Sequence, residues 1–210
     1  MIDLYTWSTP NGRKVSIMLE ECELEYRVHP INIGKDEQFA PDFLDIAPNN
    51  KIPAIVDNDN GFSLFESGAI LMYLAEKTAK FWAQEFDAKW RIMEWLMWQM
   101  GGVGPMLGQA HHFIKNNKGV SEYAERRYFE EAQRLYDVLD KRLEDKEYIA
   151  GEYSIADIAT WPWISRFEWH TVDMNEFPNV VRWYKSIAAR PAVEKGYHIP
   201  VRQPDGIPLP

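Results

Sequence analysis

"YTWSTPNGRKVSIMLEE", residues 5–21, decides how the chain begins to fold. Its first residues complete "IDLYTW" (2–7), a short strand, and Pro10 stops that strand where a helix can start. In "PNGRKVSIMLEECEL" (10–24), Val15, Met18, Leu19 and Cys22 recur at helical spacing, so the helix follows at once. Such a turn sets the orphan N–H groups and positive dipole end of a helix beside Ser8, Thr9 and Asn11. An anion or a thiolate would be favoured there. Tyr5 reads as a core strand residue on the face shared by Asp3 and Trp7.

The pattern continues to alternate up to about residue 78. "YRVHPINI" (26–33) reads as a second strand, with Pro30 arguing for an edge position or a bulge. "APDFLDIAP" (40–48) is a short helix closed by Pro48. "PAIVD" and "FSLF" form a hairpin across the turn signal "NDNG". "ESGAILMYLAEKT" (66–78) is a helix with Ile70, Leu71 and Leu74 inward. The order β-α-β-α-β-β-α predicts a mixed sheet with helices on its faces.

Strand signals then vanish. Helical stretches are expected at about 85–115, 121–145, 154–169 and 177–190. The second carries the stripe Ala124, Tyr128, Ala132, Leu135, Leu139 and Leu143. Eight of the nine tryptophans fall from Trp82 onward, giving this half a bulky aromatic core. The chain thus divides into an α/β domain, residues 1–80, and an all-α domain, residues 86–210, ending in the proline-rich extended tail "HIPVRQPDGIPLP".

Composition sets the outer bounds. With 210 residues, 46% of them hydrophobic, the chain can bury a sizeable core without staples. A net charge of −9 argues against nucleic acid or an anionic membrane as main partner, and no apolar run is long enough for a membrane span. One cysteine excludes an internal disulfide framework, and the N-terminus lacks the layout of a signal peptide. The expected setting is the reducing cytoplasm.

Three segments carry a resemblance: "NNKIPAIVD" (49–57), "LFESGAILMYLAEK" (64–77) and "YSIADIATWPW" (153–163). In this order and spacing they resemble the cytosolic glutathione transferases along essentially the whole chain. "STPNGRKV" and "WQMGGVGPMLGQAHHF" are most similar to the Nu class, bacterial disulfide-bond oxidoreductases of that fold. The resemblance implies a thioredoxin-like N-terminal domain, an all-α C-terminal domain, a homodimer, and glutathione as cofactor, reduced or oxidised, with up to two molecules per site.

It also assigns residues. Ile52, before Pro53, would pair through its backbone with the cysteinyl part of glutathione, as a strand does. Glu66 suits the ammonium and Ser67 the carboxylate of the γ-glutamyl end, at what is also an ordinary helix cap. Gln38 and Lys51 match donors for the glycyl carboxylate, although Lys51 equally fits a solvated surface lysine. Arg127 would reach glutathione in the partner subunit; its alternative is an i,i+4 pair with Glu131. Thr9 and Asn11 are the expected activators of the glutathione thiol, with Ser8 as the alternative donor. No protein cysteine is then needed.

Other features have plainer readings. Ser154 and Asp157 form a capping box with Ile155 and Ile158 inward, a structural motif. Cys22 is a core thiol far from the activating helix end. Adjacent His111 and His112 cannot share one helix face, so they make a poor metal site, and one of them lines the mouth of the active site. "GGVG" (101–104) lacks dinucleotide-loop spacing and instead interrupts a helix. Three functions fit: glutathione-dependent reduction of small disulfides; conjugation to, or ether cleavage of, an aromatic electrophile; and a non-catalytic glutathione-binding module.

Overall fold

The computed structural model describes residues 1–210 as two compact units, Met1–Trp82 with Ala189–Ile207, and Ala83–Ala188 with Pro208–Pro210. Residues 189–207, expected in the helical half, therefore cluster with the α/β unit.

In the first unit, β1 (Ile2–Thr6), β2 (Tyr26–Pro30), β3 (Ala54–Asp57) and β4 (Phe62–Phe65) form one sheet in the order β2-β1-β3-β4. β1 and β2 run parallel from Ile2↔Tyr26, while β1–β3 and β3–β4 are antiparallel. Pro30, which cannot donate to a ladder, ends the edge strand β2, as the sequence requires. The strand is shorter than predicted, because residues 33–35 curl into a 3-10 turn.

α1 (Pro10–Glu21) buries Val15, Ile17, Met18 and Leu19, and α3 (Ser67–Thr78) buries Ile70, Leu71 and Leu74; these two helices pack together. Between them in the chain lies α2 (Pro41–Leu44), half the length expected. Its Phe43 joins Ala47 and Ala54 in a small cluster that Tyr5, Ile31, Ile46, Ile52 and Phe65 partly cover. Tyr5 is thus half-buried, stacked at 4.6 Å on His29, rather than a full core residue. α1 stops earlier than predicted: Cys22 caps it and Glu23 turns the chain with φ +58°, a left-handed conformation that ends a helix.

The second unit is helical throughout. α4 (Phe86–Trp98) passes through a π-helical segment at Gln99–Val103 into α5 (Gly104–Ala110), and a second π segment follows at His111–Asn116. Pro105 has no N–H to return to the preceding turn, and Gly101 and Gly102 tolerate the wider winding. The predicted interruption at the glycines is this π segment.

α6 (Glu122–Leu143) presents the expected stripe, with Ala132, Leu135, Leu139 and Leu143 buried. The stretch predicted at 154–169 breaks into α7 (Ile155–Ile164) and α8 (Phe167–His170). α9 (Pro178–Ala188) completes the aromatic core: Trp161 and Trp183 are wholly buried, and Trp161 stacks on Tyr184 at 5.1 Å.

α10 (Pro191–Tyr197), which the sequence reading did not single out, packs on α1 within the first unit. Gly196 lets the two backbones meet, since a Cβ there would stand 2.7 Å from the Ile17 backbone. Ser16 Oγ donates to the Gly196 carbonyl at 2.7 Å, and Arg13 Nε donates to the Tyr197 carbonyl at 3.1 Å. Arg190–Glu21 and Lys195–Glu20 pairs, at 2.6 and 2.7 Å, close the far end of the contact.

Candidate active site

Sheet register brings the predicted site residues of the first unit to one end. Tyr5 lies opposite Ala54, Ala54 opposite Phe65, and Thr6 beside Pro30. β1 therefore leaves, β3 enters, β4 leaves and β2 leaves at the same edge of the sheet. Thr9 and Asn11 follow β1, Ile52 precedes β3, Glu66 and Ser67 follow β4, and Gln38 and Lys51 stand in the segment between β2 and β3. Arg127 belongs to the second unit.

Thr9 is the N-cap of α1. Its backbone is extended (φ −119°, ψ 162°), and its Oγ1 accepts from Gly12 N–H at 3.1 Å. A hydroxyl has two lone pairs and one proton. That bond uses a lone pair, and no acceptor in the chain takes the Thr9 proton. α1 has no acidic residue in its first turn, so the positive end of its dipole is uncompensated. Asn11 is the second residue of the helix, half-buried beside Thr9. Ser8 Oγ is buried without a hydrogen-bond partner, which keeps it in play as the alternative donor.

Gly12, which sequence reasoning passed over, explains why the cap stays open. A Cβ at this position would lie 2.2 Å from the Trp7 carbonyl oxygen and 2.5 Å from Thr6 Oγ1. No side chain fits at the third helical position, so no carboxylate can return to close the cap.

At α3, Glu66 is the cap residue with φ +72° and ψ 111°, a conformation that costs a non-glycine residue on the order of 1–3 kcal/mol. Its side chain is exposed and makes no cap bond, while Ser67 is buried at the first turn. Behind Ser67 stands Lys14 of α1. It is 1% exposed, and its Nζ donates to Ser67 Oγ at 3.3 Å. Burial pushes the Lys14 ammonium down to about 7, against the opposing attraction of Glu66. Sequence reasoning missed Lys14; the available signal was Ile17 and Met18 three and four residues on, which place it on the apolar face.

Ile52 is half-buried, and no backbone hydrogen bond of the chain engages its N–H or C=O. Gln38 is half-buried with its Oε1 unpartnered, and Lys51 is exposed with no ion pair.

In the second unit, Arg127 is exposed on α6 and lines a groove of about 580 Å³ with Gly101, Met106, Tyr128 and Arg134. The alternative pairing with Glu131 does not form. Arg134 takes Glu131 instead, at 2.7 Å, and Arg127 makes no hydrogen bond or ion pair.

His111 turns inward, not toward a mouth: its Nε2 lies 2.8 Å from His170 Nε2, and His170 Nδ1 lies 2.9 Å from the Tyr136 hydroxyl. Burial holds His111 down at about 4 and His170 well below the usual imidazole range, so both rings are neutral at pH 7. His112 is exposed. Asp157 is buried under bonds from Ile149 N–H (2.9 Å), Ser154 N–H (3.0 Å), Ser154 Oγ (3.2 Å) and Trp183 Nε1 (2.8 Å), the structural role expected of it. Cys22 is 6% exposed, with Sγ 3.4 Å from Thr78 Oγ1, and burial pushes its thiol up.

Residues 1–76 match the family described as glutathione S-transferase, N-terminal domain, and residues 104–191 its C-terminal domain. The chain is 52% identical over 198 residues to the disulfide-bond oxidoreductase YfcG of Escherichia coli K12, covering 91% of this chain and 92% of that protein. A glutathione transferase from Pseudomonas putida, crystallised with one glutathione disulfide per subunit, superposes with TM-score 0.90. Its identity is 43%, over 95% of this chain and 91% of that one. Another from Burkholderia graminis, with two glutathione molecules per subunit, gives TM-score 0.91 at 44% identity, covering 96% and 89%.

Proposed function

The chain belongs to the glutathione transferase family, and from that premise we propose that it reduces small disulfides with glutathione, Thr9 and Asn11 holding the reacting sulfur as thiolate. The observation that carries the reading is the cap of α1, where the Thr9 hydroxyl keeps a proton to donate and the helix end is uncompensated. When bound, glutathione supplies the sulfur nucleophile.

The residues present fit that tripeptide. Ser67 and the N–H groups of α3 suit the γ-glutamyl carboxylate, and Glu66 suits its ammonium. Ile52 offers a strand-like N–H and C=O pair to the cysteinyl unit. The Gln38 side-chain NH2 and the Lys51 ammonium are the donors assigned to the glycyl carboxylate. Arg127, unpaired on α6, is assigned to glutathione held by the partner of a homodimer. Similarity to a bacterial disulfide-bond oxidoreductase supports placement in the Nu class, and a single cysteine supports work in the reducing cytoplasm.

Energetics make the scheme sufficient. A thiol that ionises near 8.5 needs about 1.4 kcal/mol of thiolate stabilisation for each tenfold gain in acidity. A hydrogen bond to a charged group contributes about 1.5–3 kcal/mol and a helix end roughly 0.3–1.

Ultraviolet titration of the thiolate in the glutathione complex tests this. An ionisation midpoint of about 6.5–7.5 is expected, together with faster turnover of 2-hydroxyethyl disulfide than of a chloronitrobenzene. A bound thiol no more acidic than in buffer overturns the Thr9–Asn11 role. Preference for the chloronitrobenzene moves the chain to conjugation.

A further inference from the structure

In the second unit, side chains that can only donate hydrogen bonds gather around one indole. Trp169 of α8 has the Arg166 guanidinium carbon 4.8 Å from its ring centre and Lys115 Nζ 5.9 Å from it. The His111 ring stands edge-on to the same indole at 5.1 Å. Neither Arg166 nor Lys115 makes a side-chain hydrogen bond or ion pair, and Arg166 Nε is buried without a partner. Glu168, two residues from Arg166, is exposed and pairs with neither cation. Trp169 Nε1–H likewise donates to nothing in the chain.

His111 is a donor too, and a hydrogen-bond chain makes it one. Tyr136 is wholly buried, and His170 Nδ1, 2.9 Å away, is the only partner of its hydroxyl. Were His170 to donate there, the phenolic proton would be stranded in the interior at a cost of about 1–3 kcal/mol. Tyr136 therefore donates, and His170 carries its own proton on Nε2. That proton goes to His111 Nε2 at 2.8 Å. Neutral His111 then holds its proton on Nδ1, which no acceptor in the chain engages.

We propose that Arg166, Lys115, Trp169 and His111 form a binding site for a small oxyanion, a carboxylate or a phosphate, on the second unit. Two of the four carry a fixed positive charge, and no carboxylate offsets it: burial and the Arg166 charge are what hold the His111 ring down. The cation–π contact with Trp169 uses the face of the guanidinium and leaves its N–H fork free in the plane. That fork matches two oxygens of a carboxylate or phosphate, to which the indole and imidazole each add one N–H. Packing alone does not explain Arg166, because an inward Nε without an acceptor is costly. None of the four is among the residues assigned to glutathione, so the inference stands apart from that reading.

Nitrogen–proton NMR of the indole and imidazole groups tests the site. Acetate and inorganic phosphate, titrated separately in place of chloride at constant ionic strength, should shift the Trp169 Nε1–H signal saturably; Trp169→Phe identifies that signal by its loss. The tighter of the two names the class of ligand. Arg166→Gln should weaken binding about tenfold or more, and Lys115→Met about threefold. Lys115 is exposed, so its variant reads the same point if Arg166→Gln does not fold. The His111 proton should be found on Nδ1. No saturable shift with either anion up to about 50 mM, parent-like affinity in a folded Arg166→Gln or in Lys115→Met, or a His111 proton on Nε2 overturns the inference, and each leaves the glutathione site untouched.

Discussion

Three helices in this chain open with a hydroxyl cap, and the caps of α7 and α1 have opposite fates. At α7, Ser154 accepts from Ala156 N–H at 3.3 Å, and Asp157 answers by accepting from Ser154 N–H and Oγ. Both residues are at most 1% exposed, and Asp157 also ties in Ile149 and Trp183. Backbone, hydroxyl and indole donors alike converge there on the one carboxylate. At α1, Thr9 accepts from Gly12 and receives no such answer, because the third helical position is a glycine whose Cβ would strike the Trp7 carbonyl. The local motif is the same in both places. Between these two caps the third position makes the difference: Asp157 closes one, and Gly12 leaves the other open.

The largest effect should come from opening the closed cap. Asp157→Ala strands two backbone N–H groups, a hydroxyl and an indole in the interior, at about 1–3 kcal/mol each. Urea unfolding should show a loss of about 4 kcal/mol or more. A loss below about 1 kcal/mol would mean that the closure is incidental.

Trying to fill the open cap comes next. Gly12→Ala forces the Trp7–Thr9 turn to move, for an expected cost of about 1–3 kcal/mol. Displacing the Thr9 hydroxyl should lower disulfide turnover by more than tenfold. An alanine variant with parent-like stability and rate would show that the glycine is not what holds the turn.

Removing the hydroxyls themselves sharpens the contrast. Thr9→Ala and Ser154→Ala should each cost about 1 kcal/mol of stability. Only Thr9→Ala should also slow turnover, by about ten- to a hundredfold, the equivalent of one hydrogen bond to a charged sulfur. Equal rates in the two variants would break the distinction.

Much of this was legible from local chemistry. The sheet could be read because its strands are short, alternate, and are punctuated by Pro10, Pro30 and the "NDNG" turn. The capping box was written out as Ser154 and Asp157, and the open cap as a threonine before Pro10. What escaped is what depends on distant partners. A lysine in a helix ordinarily snorkels to water, so nothing in "GRKVS" announced a buried Lys14 under α3. The meeting of His111 with His170 spans 59 residues. α10 was not singled out because it is short and carries Pro191 and Gly196, two helix breakers, although the glycine is there to let Ile17 approach.

The smallest effect belongs to the other end of α1. Cys22 caps that helix at its C-terminal end, where the dipole opposes a thiolate, and burial raises its ionisation further. Against the open N-terminal end this thiol is sealed, and its one side-chain partner is Thr78 Oγ1. Cys22→Ala should therefore cost only about 1 kcal/mol, as the loss of one small buried group, and turnover should stay within about twofold because no step passes through it. An inactive yet folded Cys22→Ala protein would mean that the chain carries its own nucleophile, and that the Thr9 cap is no more functional than the one at Ser154.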